Sequence, residues 1–393
     1  MAKHSIGIGV IGMGWMGQAH SRAYNQMADR YYDSGIRPRL VICADDVAAR
    51  AERAKEALRV EEYTTDWHTV INHSEVQVVN VASPNYLHLE MVQAAAAAGK
   101  HVFCEKPVGR TPEETVKVEY AARKAGVMSF VGFNYRWAPM VQYAKKLIDE
   151  GKLGDLTHYR GRFFSMYGSN PMGLLTWRFK TEFAGTGVLG DLGSHVIDMA
   201  LMLMGPIERV AGQRNTFIKQ RPLPSPGQGT HFSLGKPDDP AGPVENEDYM
   251  GAMVQFKNGV VGTFEACRAI YGPKCEMAFE VNGNKGATRW NFERMNELDL
   301  YLPDGEVGHD GTTRLLGGPA FGDHGRFNPG DGIGMGYEDL KAIEAYNFLQ
   351  SIVDGKQQAP SFADALHVAE VQTALIRSWE SGGWENVPSL RKE

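Results

Sequence analysis

Two short segments carry side chains able to move a proton. Glu105-Lys106-Pro107 sets a lysine at the end of an apolar run, just before a proline that stops the strand. Gly190-Asp191-Leu192-Gly193-Ser194-His195-Val196-Ile197-Asp198 sets a histidine four residues after an aspartate, so on a helix the two share a face. An imidazole titrates near about 6.5, which makes His195 the natural base for a hydroxyl proton. Asp191 can hold that ring and stabilise its cation, or bind a hydroxyl itself. Lys106 can donate to a reacting oxygen and stabilise a developing alkoxide. Each residue also has a plainer reading: a core histidine, a helix-face contact, a solvated lysine. What weighs against the plainer readings is a third motif at the N-terminus.

Gly12-Met13-Gly14-Trp15-Met16-Gly17 follows the apolar run Ile6–Ile11 and opens a helical pattern from about Met16 to Ala28. The pattern G-x-G-x-x-G is weak alone in a chain with 45 glycines. Between a strand and a helix it is a dinucleotide turn. Gly12 makes the tight turn, Gly14 lets the backbone approach a pyrophosphate, and Gly17 lets the helix pack on the strand. The phosphate meets free N–H groups at the positive end of the helix. The second strand, Leu40–Ala44, ends in Asp45-Asp46. Asp45 is expected to take the ribose hydroxyls. Two carboxylates there repel a 2′-phosphate, so NAD is favoured over NADP; Arg50, nearby, is the one residue able to reach such a phosphate. The expected cofactor contacts are Gly12, Met13, Gly14, Trp15, Met16, Gly17, Asp45 and Arg50. Ser83, Pro84, Asn85, His88, Glu105 and Lys106 border the nicotinamide, although a proline turn and an N-capped helix explain the Ser83–His88 stretch equally well. With these three pieces the chemistry is that of a nicotinamide-dependent dehydrogenase.

The elements that must position these residues alternate in the first third of the chain. Strand-like runs at Gln77–Ala82, His101–Cys104 and Val127–Val131 interleave with helical patterns at Val47–Leu58, Leu87–Ala98 and Pro112–Ala125. Thr111 caps the last of these helices and Gly99 and Gly126 stop two of them. Such repeats give an α/β unit, a doubly wound parallel Rossmann sheet, over residues 1–132. From about Phe133 the pattern changes. Helices are expected at Val141–Glu150, Val188–Met204, Tyr337–Asp354 and Phe362–Ser378. Strands are expected at Thr157–Phe164, Met250–Phe256, Gly259–Cys267 and Met277–Val281, with Asn258-Gly259 a hairpin turn. This gives a second unit, 133–393, an α+β domain with an open, mostly antiparallel sheet, whose last helices can pack back on the first. Residues 219–245 and 303–336 read as long Pro- and Gly-rich loops. Tyr135, Arg136, Trp177 and Arg178 are candidates to line a polyhydroxylated substrate together with Lys106, Asp191 and His195; packing or a subunit contact explains those four as readily. Asp198 is either a buried helix carboxylate or a partner behind His195.

The 393 residues are 43% hydrophobic and 22% charged, with a net charge of −6 spread along the chain. That balance argues against nucleic acid and anionic membranes as partners. Cys43, Cys104, Cys267 and Cys275 show no paired spacing, which with the absence of a signal pattern or a bilayer-length apolar stretch points to the reduced cytoplasm. No HExxH or paired-cysteine spacing appears, so no metal is expected, and no G-x-S-x-G elbow is present.

Taken together, the N-terminal glycine turn, Pro84-Asn85-Tyr86-Leu87-His88, Gly99–Pro107, the Gly190–Asp198 segment and Pro360-Ser361-Phe362-Ala363-Asp364-Ala365 resemble the Gfo/Idh/MocA oxidoreductase family over essentially the whole chain. The resemblance implies a Rossmann domain, a C-terminal domain whose open sheet often builds homo-dimers or homo-tetramers, Lys106, Asp191 and His195 as the catalytic trio, and an unusual backbone geometry, with a cis bond in view, at Lys106-Pro107. Within the family the intact trio is similar to that of inositol dehydrogenases and of anhydrosugar (levoglucosan) dehydrogenases, and Trp177-Arg178-Phe179 leans toward the latter. Gly185-Thr186-Gly187, where many members have three glycines, and the 219–245 insertion depart from the pattern on the substrate side. The expectation is an NAD-dependent dehydrogenase of a cyclic polyol or pyranose hydroxyl. The alternatives are a dinucleotide-binding regulator, which need not keep the trio, and an enzyme whose retained NAD oxidises a sugar only transiently.

Overall fold

The computed structural model describes residues 4–225, 230, 232–303 and 310–391. Its first sheet is parallel, built from β1 (His4–Ile11), β2 (Ile36–Ala44), β3 (Glu62–Thr64), β4 (Val78–Val81), β5 (His101–Cys104) and β6 (Ser129–Val131), in the order β3-β2-β1-β4-β5-β6. Helices α1 (Trp15–Arg30), α2 (Ala48–Leu58), α3 (Trp67–Asn72), α4 (His88–Ala97) and α5 (Pro112–Ala125) connect the strands. The strand interiors are buried on both faces, which is why they read as continuous apolar runs rather than alternating ones. The register aligns the carboxyl ends: Ile11 pairs with Ala44 and with Val81, Val81 with Cys104, and Cys104 with Val131. Gly12, Asp45, Ala82 and Glu105 therefore leave the sheet in one row. The strand order reverses between β1 and β4, and a crevice opens at such a switch point.

The chain then forms α6 (Pro139–Asp149), β7 (Leu156–Ser165), α7 (Thr181–Ala184), α8 (Ser194–Met204), β8 (Ile207–Asn215), β9 (Gln220–Pro222), β10 (Ala241–Pro243), β11 (Tyr249–Phe256), β12 (Val261–Cys267), β13 (Cys275–Gly283), β14 (Ala287–Asn291), β15 (Glu297–Tyr301), β16 (Thr313–Leu316), α9 (His324–Phe327), α10 (Tyr337–Asp354), α11 (Phe362–Ser381) and β17 (Glu385–Asn386). Nine strands join as β16-β15-β14-β13-β7-β12-β11-β8-β17, with only the β12–β7 pair parallel among the described residues. Gly259, at φ +87°, makes the expected hairpin between β11 and β12. One face of this sheet is covered: Tyr159 and Phe163 of β7 are buried and α8 packs on them. The final helices do return to the first unit. α10 lies along α1, with Tyr346 stacked 3.9 Å from Tyr31 and Arg22 bound to Glu338, and α11 lies against α5.

Several expectations need correction. Val188–Met204 is not one regular helix. Leu189–Gly193 forms a π-helical turn before α8, so Asp191 and His195 do not sit on an ordinary i, i+4 stripe. Strands β8 and β14 carry few apolar residues, and β15 spans only five residues, so none of the three stands out in the sequence. The loop over 219–245 contains the β9–β10 ribbon, and 303–336 contains β16 and α9; residues 226–229, 231 and 304–309 of these loops lie outside the described residues, as do Met1–Lys3. The helical stretch within Thr181–Met204, contrary to the sequence reading, is apolar and long enough by composition to cross a bilayer, but 83% of its most apolar 18 residues is buried within the protein, as a core helix is.

Candidate active site

The glycine turn is shaped by what a side chain would meet. A Cβ on Gly12 would lie 2.7 Å from the Ser83 nitrogen, and Gly12 stands at φ +90°. A Cβ on Gly17 would lie 1.8 Å from the Gly12 oxygen, so only glycine lets α1 sit on the turn. A Cβ on Gly14 would meet nothing within 4 Å. Gly14 therefore guards no protein contact and faces open space, as a residue approached by a ligand does. It is the N-cap of α1, with no side-chain cap and no acid in the first turn. Free N–H groups with no internal acceptor suit a pyrophosphate. Asp45 braces the turn: Oδ2 accepts the Met13 N–H at 2.7 Å and Oδ1 the Val47 N–H at 3.0 Å. Burial pushes its carboxyl pKa up, against those two hydrogen bonds. Arg50 lies 3.7 Å from the same carboxylate, and Asp46 is exposed beside it. This donor and acceptor set fits a dinucleotide with free ribose hydroxyls. Trp15, 60% exposed, stacks on Tyr337 at 5.4 Å, and the Tyr337 hydroxyl points at the Met16 sulfur.

On the other wall, Lys106 follows the end of β5, and its peptide bond to Pro107 is cis, in line with the family resemblance. Its Nζ donates to the Asp191 backbone oxygen at 2.7 Å and to Asp191 Oδ1 at 3.0 Å. Tyr167 donates to the other carboxylate oxygen, Oδ2, at 2.7 Å. Burial would raise the Asp191 pKa, but the Lys106 ammonium, the Arg178 guanidinium and the Tyr167 hydrogen bond outweigh it and hold the carboxyl well below its usual range. His195 opens α8 within an aromatic box: Tyr135 edge-on at 4.8 Å, Phe133 at 5.7 Å and Phe163 at 5.8 Å. Burial, with the nearby Lys106 ammonium second, holds its pKa well below the ordinary imidazole value. His195 is thus a neutral base, and Asp191 an ionised acceptor. The π-turn carrying Asp191 is pinned by Glu247, which accepts the Leu189 N–H, and by Gln372, which donates to the Leu189 oxygen.

Some proposed contacts are not brought together. Asp191 does not hold the His195 ring; its oxygens are taken by Lys106 and Tyr167, because the π-turn rotates it toward β5. Arg136 does not line the cleft. It is buried and forked onto Asp198 at 2.7 and 2.5 Å, with Asp364 3.6 Å away. Tyr135, in contrast, packs on His195 from behind. His88 is not open to the crevice either: it is enclosed, and its two ring nitrogens span the Pro107 and Ser83 carbonyls at 2.8 and 2.9 Å, tying the β4 and β5 turns together. The Glu105 carboxylate points inward, to His20 and Lys341, and away from the crevice. Ser83 and Pro84 stay at the crevice edge, and Asn85, bonded to the Ala184 oxygen, keeps a buried carbonyl oxygen with no hydrogen-bond partner among the described residues.

Trp177 and Arg178 lie across the cleft. The Arg178 guanidinium covers the Trp177 ring at 4.4 Å, and Tyr86 meets that ring edge-on. The Arg178 carbonyl is held by Asn246 and Arg268. Beneath it, the Phe179 ring is sandwiched between Arg221 and Arg268, at 4.2 and 4.4 Å, and Arg268 pairs with the buried Asp248. Sequence reasoning did not single out Tyr167, Asp248, Arg268 or Lys341. Tyr167 has no motif around it. Lys341 and Glu344 did leave a trace, as charges on the same face of α10 as Phe348 and Ser351.

Residues 6–133 match the family model described as an oxidoreductase family with an NAD-binding Rossmann fold, and residues 141–289 match the GFO/IDH/MocA C-terminal domain. The levoglucosan dehydrogenase of Pseudarthrobacter phenanthrenivorans is 37% identical over 389 residues, covering 98% of this chain and 99% of that protein. The scyllo-inositol 2-dehydrogenase (NAD(+)) of Bacillus subtilis is 28% identical over 389 residues, 97% of this chain and 96% of that one. Among solved structures, a levoglucosan dehydrogenase in complex with NADH and levoglucosan superposes with a TM-score of 0.91 at 35% identity, covering 98% of this chain and 100% of that one.

Proposed function

Because the chain belongs to the Gfo/Idh/MocA oxidoreductases, we propose that it is an NAD-dependent dehydrogenase that oxidises a ring secondary hydroxyl of a cyclic polyol or pyranose to a ketone. An anhydropyranose such as levoglucosan is the first substrate to test, on the strength of the 37% identical relative. The observation that supports the reading is the Lys106–Asp191 pair at the carboxyl edge of the parallel sheet, with a buried His195 near enough for the Lys106 ammonium to lower its pKa. His195 takes the hydroxyl proton. Lys106 has three ammonium donors; Asp191 uses two, and the third meets the reacting oxygen as negative charge grows on it. Asp191 fixes the lysine and offers its remaining acceptor capacity to a neighbouring hydroxyl. Bound NAD supplies the hydride acceptor, nicotinamide C4. Trp177 offers a flat face to ring C–H groups, and Arg178 donates to hydroxyls.

We further read residues 1–132 as the cofactor domain and 133–393 as the substrate domain, since the sheet type changes between them. The outer face of the second sheet exposes Met253 and Val261 in a row with Thr263, which favours a homo-dimer or homo-tetramer through that face. The four free cysteines suit the reducing cytoplasm. The deciding assay offers levoglucosan, inositols and glucose-type pyranoses with NAD or NADP and follows absorbance of the reduced cofactor. Catalytic release of NADH with one substrate class supports the reading. A preference for NADP, or reduced cofactor that never leaves the protein, overturns it.

A further inference from the structure

Behind the cleft, four ionisable side chains are enclosed where α1, the end of β5 and α10 meet. Lys341 and Glu344 of α10 have fully buried side chains, and His20 of α1 and Glu105 are nearly so. Glu105 Oε1 accepts from both His20 Nε2 at 2.8 Å and Lys341 Nζ at 2.7 Å. Its second oxygen, Oε2, accepts the backbone N–H of Lys106 at 3.2 Å. A Cβ on Gly132 would lie 2.7 Å from this carboxylate, so the next strand end closes over it. Lys341 Nζ also lies 3.0 Å from Glu344 Oε2, a carboxyl whose two oxygens have no hydrogen-bond partner among the described residues.

Burying an ammonium is costly even when it is paired, and an apolar residue of similar volume commonly serves the fold as well or better. The cost is spent at one place, the carboxylate bonded to the Lys106 backbone. We infer that Lys341 is a positioning residue for Lys106: from α10 it fixes the Glu105 carboxylate, and that carboxylate fixes the peptide from which Lys106 reaches the alcohol oxygen. This rests on the role proposed above for Lys106. The titratable groups that face the cluster are His20 and Tyr24 from α1, Glu105 from the end of β5, Asp198 from α8, and Tyr337 and Glu344 from α10 itself. The two opposed charges of the cluster also reach His195, where the Lys341 ammonium lowers the imidazole pKa and the Glu105 carboxylate raises it. Loss of Lys341 therefore moves His195 upward, since the repelling cation goes.

The test is Lys341→Met in the full-length protein, beside Glu105→Gln and the double variant. The glutamine keeps an oxygen for the Lys106 N–H and removes the charge. Lys341→Met should lower kcat by about 10- to 100-fold, what a misplacement of about 1 Å can cost. Its NAD dissociation constant should stay within about twofold, and the rising limb of kcat against pH should move up. The double variant, with neither buried charge unpaired, should recover kcat over Lys341→Met. If Lys341→Met does not fold, the comparison is the double variant against Glu105→Gln, where removing the lysine should raise kcat. Unchanged kcat and pH profile with only a lower Tm, or no recovery in the double variant, overturns the inference. Wild-type protein that oxidises no polyol or sugar overturns the proposed function instead, so the two failures are distinct.

Discussion

Replacing Lys106 by alanine should separate binding from turnover. The ammonium makes two hydrogen bonds, both to Asp191, and none to the glycine turn, so the pyrophosphate cradle formed by Gly12–Gly17 is untouched. The NAD dissociation constant is expected within about threefold of wild type. Turnover loses the one charge-assisted donor facing the alcohol oxygen; removal of a single such donor costs about 10²–10³ in kcat, or roughly 3–4 kcal/mol. The pH profile carries a second, independent sign. In the wild type, burial and then the Lys106 ammonium hold His195 below its ordinary value, so the base is already neutral at pH 7 and the rising limb of kcat lies below about pH 6.5. Without the ammonium the imidazole pKa rises, and the limb shifts to higher pH. The assay is steady-state absorbance of NADH from pH 5 to 9, beside a fluorescence titration of NADH. A variant that loses cofactor affinity and kcat equally, or whose limb moves to lower pH, would refute the assignment of Lys106 to the reacting oxygen.

Gly14→Ala should leave Tm within about 2 °C of wild type, because the added Cβ meets no protein atom within 4 Å, while NAD binding weakens by at least about tenfold from collision with the pyrophosphate; equal losses of stability and binding would contradict the open cradle. Arg136→Met tests the removal of Arg136 from the substrate contacts: stranding the buried Asp198 should cost about 3–5 kcal/mol in denaturant unfolding, while the KM of the folded fraction for sugar stays unchanged.

The sequence by itself determined the first unit closely. Its strands are buried on both faces, and α4 and α5 stop beside or at a glycine, so β1, α1, α5 and the glycine turn were legible in patterns that span only a few residues. Helices Tyr337–Asp354 and the start of Phe362–Ser381 were equally clear, from sustained periodicity and capping residues. The presence of Lys106, Asp191 and His195 was legible too, since each lies in a short, distinctive segment.

What only the tertiary structure decided is which atoms face one another. The π-turn at Leu189–Gly193 adds a local widening with no sequence signature, and it turns Asp191 from its helix neighbour His195 to Lys106, 85 residues away. Tyr167, Arg268 and Lys341 reach the site or its support from separate elements, so no local spacing could announce them. Glu105, His88 and Arg136 lie in or beside the motifs that carry the site, yet they face inward. A strand end exposes one side chain to the crevice and sends the next into the core, and which acid, histidine or arginine is enclosed depends on partners that arrive from α1, α8 and α10.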